Sequence, residues 1–255
     1  AREVMGLTDI GLPLTDPRST GLAPNAIDHF AQGLGIALEE VRLFLAVREA
    51  ASARLFTHAR WLGPHLMGAV EAYAREIEID VERIEEAVRS VDLSDQAQVR
   101  EALAGVAAIR HTPAQEAALA RLGTTLALVE GWVDDIASQA VDGRLPHAVG
   151  LGEMIRRRRA TGGPAERTFA TLVGLELRPR RAREAATLWR AVAETDGTAG
   201  REALWSHPDL LPDAEELGKP SQFVRDRAQR ASADADVDAA IAQLLDEGST
   251  ENPGE

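Results

Sequence analysis

Cysteine is absent from all 255 residues. That excludes disulfides, thiolate metal sites and a cysteine nucleophile, and it fits a reducing compartment. No stretch approaches the ~18 apolar residues of a membrane span, and the first residues lack a charged start followed by an apolar run. The expectation is a soluble, cytoplasmic protein that does not sit in a membrane. The start at Ala1 rather than Met is read as a fragment of a longer chain. Alternating β-branched runs are also missing. The longest candidates, "EIEID" and "LELRP", are short and charged, so little or no sheet is expected. There is no Walker loop, no dinucleotide-binding glycine fingerprint and no credible serine triad. Positive charge is in the minority: 28 Lys and Arg against 41 Asp and Glu leave a net charge of -13. Such a field repels polyanions at long range, so nucleic acid and anionic lipid are not expected partners, whereas small molecules, proteins or peptides are.

What remains is dominated by helical periodicity. Helical windows are expected at about 24–35, 38–60, 64–76, 80–90, 94–108, 114–141, 146–160, 164–175, 180–195, 198–205, 220–231 and 234–246. The opening "GLTDIGLPLTDPRSTGLAP" is rich in Gly, Pro, Thr and Asp and reads as an extended surface segment over residues 1–23. A single helical domain is expected over residues 24–246, and the polar, acidic end at 247–255 reads as a disordered tail. The fold class is therefore mainly α.

One helix carries an anomaly. In "VRLFLAVREAASARLF", Val41, Phe44, Leu45, Arg48, Ser52, Leu55 and Phe56 recur at three- and four-residue spacing, so Arg48 and Ser52 lie on the apolar stripe with Glu49 beside it. Either Arg48 and Glu49 sit at the margin of the stripe and reach solvent, or each meets a partner, water or a metal, because an unpaired buried charge is strongly unfavourable. A second long helix offers partners. In "ALARLGTTLALVEGWVDDIASQAVDG", Leu122, Leu126, Val129, Val133, Ile136 and Ala140 form a stripe, with Glu130 and Asp134 one turn apart along its edge. The plain alternative there is a solvated helix edge.

The order Arg48-Glu49-x-x-Ser52, then Glu130-Gly-x-x-Asp134, resembles the gluzincin pattern HExxH followed by ExxxD, in which two histidines and the later glutamate bind zinc. The phrases "VRLFLAVREAASARLF", "LALVEGWVDDI", "RRRRATGGPAERTFATLVGLELRPRR" and "ALWSHPDLLP" are similar to those of an actinobacterial family of zincin-like metallohydrolases, which includes members named in connection with coenzyme F420 biosynthesis. The resemblance runs from about Ile27 to Val224. It implies a zincin-like fold, with Arg48, Ser52 and Glu130 at the three metal positions, Glu49 at the general base and Asp134 at the supporting acid.

The departures from that pattern decide the functional expectation. Arginine stays protonated and cannot ligate zinc, and a neutral serine hydroxyl is a poor ligand beside imidazole. Of the histidines His29, His58, His65, His111, His147 and His207, none lies one turn from Glu49, and His58 falls about half a turn round the same helix. The expectation is a zincin-like metallopeptidase homologue without zinc or other cofactor and without catalysis, serving as a binding or scaffolding protein. The alternatives are an active zinc-dependent peptidase or hydrolase with noncanonical ligands, and a small-molecule binder in the vacated cleft. In the vacated site Arg48 pairs with Glu130, or it pairs with Asp134 and leaves Glu49 free.

The basic runs "RRRR" at 156–159 and "RPRRAR" at 178–183 read either as an anion or acidic-peptide site or as intramolecular pairing and solvated surface. Trp61, Trp132, Trp189 and Trp205 read as packing residues, with Trp132 a candidate to fill the old substrate cleft.

Overall fold

In the computed structural model, which describes residues 4–9, 11–13, 15, 19–75, 112–162 and 181–250, the helices follow the sequence signals closely. They are α1 (Pro24–Ala31), α2 (Leu38–His58), α3 (Leu62–Arg75), α4 (Pro113–Val141), α5 (Ala148–Thr161), α6 (Ala182–Ala203), the single turn α7 (Ala214–Leu217) and α8 (Pro220–Thr250). Short 3₁₀ turns at Leu204–Ser206 and Pro208–Leu210 link α6 to α7. The described residues contain no strand; one isolated antiparallel bridge joins Gly6 and Leu22. The fold is mainly α, as the missing β-branched runs imply. The windows expected at about 80–90, 94–108 and 164–175 lie outside the described residues. Among the described residues no helix is long and apolar enough to cross a membrane.

The centre of the molecule is α4. Pro113 presets its first turn, and Thr112 and Gln115 cap it reciprocally: the Gln115 amide donates to the Thr112 hydroxyl at 3.1 Å, and the Thr112 amide to the Gln115 side chain at 2.9 Å. From there α4 packs against α2, α3, α5 and α6. The crossing with α6 is close because residue 131 is glycine. A Cβ there would meet the Ala185 Cβ at 2.5 Å and the Ala186 amide nitrogen at 2.6 Å. Around this crossing Trp189 stacks on Trp205 with centroids 5.0 Å apart, and the Trp189 indole donates to the Leu128 carbonyl at 2.8 Å. Trp132 meets Trp205 edge-on at 6.4 Å. The tryptophans are packing residues, as expected. Trp132 is a correction in one respect, since it is buried in this aromatic core and does not line the cleft at Glu49.

The apolar interior forms two clusters. Ala51, Leu55, Leu126, Val129, Trp132 and Val133 belong to the one around α4 and α6. Met5, Ile27, Val41, Phe44, Leu45, Val141, Leu151 and Ile155 belong to the other, where α1, α2 and α5 meet. Along α2 the change of cluster comes between Leu45 and Ala51, so Arg48 lies at the seam between two cores.

The windows 180–195 and 198–205 are separated where expected: Gly197, with φ 72° and ψ 177°, interrupts the helical backbone within α6. Two expectations are corrected. The windows 220–231 and 234–246 form the single helix α8, which continues to Thr250, past the start of the expected tail at 247. Residues 221–247 contain no Gly or Pro, and their alanines keep helix propensity high through the acidic stretch. Finally, the described residues of the opening segment are irregular, but they do not all lie on the surface as expected. Met5 and Leu12 are buried, and the segment is tied down by bonds from the Leu7 amide to the Gly21 carbonyl and from the Ala23 amide to the Met5 carbonyl. Burial of Met5 and Leu12 offsets part of the cost of ordering a segment rich in glycine and proline.

The tight crossing yields an internally controlled test. Gly131→Ala should destabilise the protein by about 1–3 kcal/mol, because overpacking against Ala185 and Ala186 outweighs a gain in helix propensity of about 1 kcal/mol. Gly123→Ala in the same helix, where a Cβ meets nothing within 4 Å, should be neutral or stabilising. Urea denaturation of both variants reads the difference, and equal behaviour would contradict the packing described.

Candidate functional site

At the seam, α2 places Arg48 and Ser52 one turn apart with Glu49 beside Arg48, and all three are buried. Glu130 and Asp134 on α4 are buried opposite them. The readings that sent these charges to solvent therefore fail: helix α4 covers the face they occupy. Arg48 answers both acids. One guanidinium nitrogen bonds the Glu130 carboxylate, and Nη1 donates to Asp134 Oδ1 at 2.9 Å. The two pairings weighed from the sequence coexist.

Each acid has a second cation from α5. Arg159 Nε lies 3.4 Å from Glu130 Oε2, and Arg156 Nη1 bonds Asp134 Oδ2. The result is a row of alternating charge, Arg159–Glu130–Arg48–Asp134–Arg156. It continues to the surface through Glu153, which binds Arg156, Arg157 and Arg183. The "RRRR" run is thus spent on intramolecular pairing, Arg158 included, which faces Asp9 at 3.6 Å. Of "RPRRAR", residues 178–180 lie outside the described residues, while Arg181 pairs with Glu184 and Arg183 with Glu153.

Glu49 has a different environment. Its Oε2 accepts from the Thr8 hydroxyl at 2.7 Å and from the Thr8 amide at 3.3 Å. Its Oε1 is buried and accepts no hydrogen bond from the described residues. Gly6 packs so closely that a Cβ would stand 2.5 Å from Oε2. Beneath this strap lies a cavity of about 40 Å³ whose lining includes Thr8, Arg48, Glu49, Ser52, Glu130 and Arg159. Since roughly 10–15 Å³ of such volume holds one water, it has room for two or three. All five predicted site residues are thereby brought to one place, with Asp134 just outside the cavity wall.

Several participants were not singled out from the sequence. Arg156 and Arg159 carried a signal, three residues apart on the helix whose stripe holds Leu151 and Ile155, but the density of the run disguised it. Thr8, Gly6 and Asp9 carried none, because nothing local says that a Gly- and Pro-rich segment folds inward. Asp135, beside Asp134 but facing α6, pairs with buried Arg201 at 3.0 Å and was also missed.

The electrostatics follow from the pairing. Burial pushes the Glu130 carboxyl up, but Arg48 and Arg159 pull harder, so it sits below its ordinary value of 4.5. Glu153 is lowered to about 2, first by the hydrogen bond from Arg157, against burial, then by Arg156 and Arg183.

The donor set does not fit a zinc ion. Zinc needs imidazole, thiolate or carboxylate donors at about 2.0–2.3 Å. Here a guanidinium stands between the two facing carboxylates, and both oxygens of Glu130 meet arginine nitrogens. No group of three or more His, Cys, Asp and Glu among the described residues could hold a metal ion. Their five histidines, His29, His58, His65, His147 and His207, are all exposed.

A family model described as zincin-like metallopeptidase matches residues 1–224 of the chain. Neither the curated proteins nor the solved structures give a match.

Two expectations follow for stability. Arg48→Ala removes the cation that two buried carboxylates share, leaving each with a single arginine of α5, and should cost up to about 3–5 kcal/mol. In a double-mutant cycle with Glu130→Leu the pair should show a coupling of about 1–3 kcal/mol, whereas additive effects would remove the bridge from the account. The pH dependence has a defined sign. A depressed carboxylate contributes stability that is fully present above its unfolded value near 4.5 and is lost as pH falls through the lower folded value. Wild-type denaturation midpoints should therefore hold down to about pH 4.5 and fall below it. In Arg48→Ala, where burial is less opposed, the Glu130 carboxyl is less depressed, so the fall below pH 4.5 should be smaller than in the wild type.

Proposed function

The chain belongs to the zincin-like metallopeptidase family, and from that premise we propose that it has kept the fold while losing zinc binding and catalysis, and that it works as a binding or scaffolding protein. On this reading Arg48, Ser52 and Glu130 stand at the former ligand positions of a degenerate HExxH pattern, Glu49 at the former general base, and Asp134 at the supporting acid. We assign it to the actinobacterial branch that includes members named in connection with coenzyme F420 biosynthesis, with a cytoplasmic location.

The observation that carries the reading is the Arg48 guanidinium bridging Glu130 and Asp134. Arginine holds its charge at any working pH and presents a planar fork of donors, so it can neutralise acids that otherwise need a cation. A metal-dependent hydrolase needs its base beside a metal-bound water. Glu49 instead accepts from the Thr8 hydroxyl and amide, so one of its oxygens is already engaged by the chain itself. With a guanidinium between the acids and Glu49 held by Thr8, the use left to the cleft is recognition. The net charge of -13 favours a protein or peptide partner over nucleic acid or a membrane.

The test is metal content. Protein purified without a histidine tag and dialysed against zinc should carry far less than one zinc per chain by elemental mass spectrometry. Arg48→His combined with Ser52→His recreates a His-His-Glu set and should raise the content towards one. Stoichiometric zinc in the wild type would overturn the proposal. Failure of a folded double variant to gain zinc would show that Arg159 and Arg156 have reshaped the site beyond two substitutions.

A further inference from the structure

We propose that the cleft over Glu49 is a receptor for a short turn-forming chain segment, that the protein's own Met5–Asp9, closed by the bond from the Asp9 amide to the Gly6 carbonyl, is its resident ligand, and that a partner enters by displacing it; this rests on the binding-protein reading above. The segment is held like a ligand. Met5 is its apolar anchor, buried beside Phe44 and Leu45 in the second core cluster. Gly6 is the close-contact position, where any side chain would run into Glu49 Oε2. Thr8 is the polar reader, donating both its hydroxyl and its amide to that same oxygen. Asp9 is the charged end, turned towards Arg158 and accepting from the Met5 amide at 3.1 Å. On its other side the Leu7 amide donates to the Gly21 carbonyl at 3.1 Å and the Met5 carbonyl accepts from the Ala23 amide at 2.9 Å.

A second observation shows that this resident leaves the site incompletely filled. Glu49 Oε1 is buried and receives no donor from the described residues, and the cavity beneath the segment has space for two or three waters. That acceptor is left to water in the cavity, and a chain donor placed there can take the water's role. A segment in the same pose that brings one more donor into the cavity gains what Met5–Asp9 does not supply. The partner chemistry is therefore defined: an apolar residue, then glycine, then any residue, then serine or threonine, then an acid, with the last four closed into a turn.

The probe is a fluorescent peptide with the sequence VMGLTDIGL, residues 4–12 of the chain, titrated into the full-length protein and its Thr8→Val variant. Thr8→Val removes one donor to Glu49 from the resident segment, so the competent fraction rises and the peptide should bind the variant about tenfold or more tightly than the wild type. A peptide with valine in place of the glycine at position 6 should bind neither. Equal affinity for the two proteins, equal binding of the valine peptide, or no binding to either protein would overturn the proposal. If Thr8→Val does not fold, hydrogen exchange on the wild type decides: saturating peptide should speed exchange at the Leu7 and Thr8 amides and leave α4 protected, and unchanged exchange at those amides overturns it. Each titration is run with chelator and with added zinc. Binding that requires zinc, or cleavage of the peptide, defeats the metal-free reading while leaving the receptor cleft in place. No binding together with no zinc uptake defeats the cleft proposal alone.

Discussion

Everything at the centre of this protein depends on one guanidinium group. Arg48 sits on the buried stripe of α2, at the seam where two apolar clusters meet, and bridges Glu130 and Asp134 one turn apart on α4. Removing three charges from water is expensive, and the attraction between them compensates only when geometry and hydrogen bonding are good. Here the geometry is supplied by three helices at once. The acids come from α4, the bridging cation from α2, and the flanking cations Arg156 and Arg159 from α5. The row of alternating charge therefore fixes the register of these helices more than it adds net stability, since apolar side chains of the same volume could fill the seam with less desolvation.

The same logic explains why α4 tolerates acids at adjacent positions. Asp134 faces α2 and α5, while Asp135 faces α6 and meets Arg201. Each side of the helix is clamped by arginine, and Gly131 between them lets α6 approach closely. Packing and electrostatics thus act on one stretch of five residues. The opening segment completes the arrangement from above, with Gly6 and Thr8 closing over Glu49 so that the ion network lies away from bulk solvent.

Helix positions were legible in the sequence because periodicity is local: Pro113 with its Thr112 and Gln115 cap, and the three- and four-residue spacing of Val41 to Phe56, both report the backbone directly. The break at Gly197 was legible for the same reason, and its φ of 72° with ψ of 177° interrupts the helix there. The candidate site was half legible. Arg48, Glu49, Ser52, Glu130 and Asp134 stood out because charge on an apolar stripe demands an answer. Which acid answers Arg48 did not follow, since the rotation of two helices about their axes is a tertiary property; the structure uses both. Arg156 and Arg159 were hidden inside a uniform run, where composition masks which face each residue occupies. The inward fold of Met5 to Leu12 was illegible, because its reason lies in a gap left by helices far along the chain.

The central claim is that a side-chain cation stands where the family pattern places a metal. The most direct measurement is an anomalous-difference map at the zinc edge, from crystals grown with zinc present. The account predicts no anomalous peak between α2 and α4, and continuous guanidinium density joining Glu130 to Asp134. A peak within about 2.3 Å of a Glu130 oxygen, with Arg48 swung away, would contradict it.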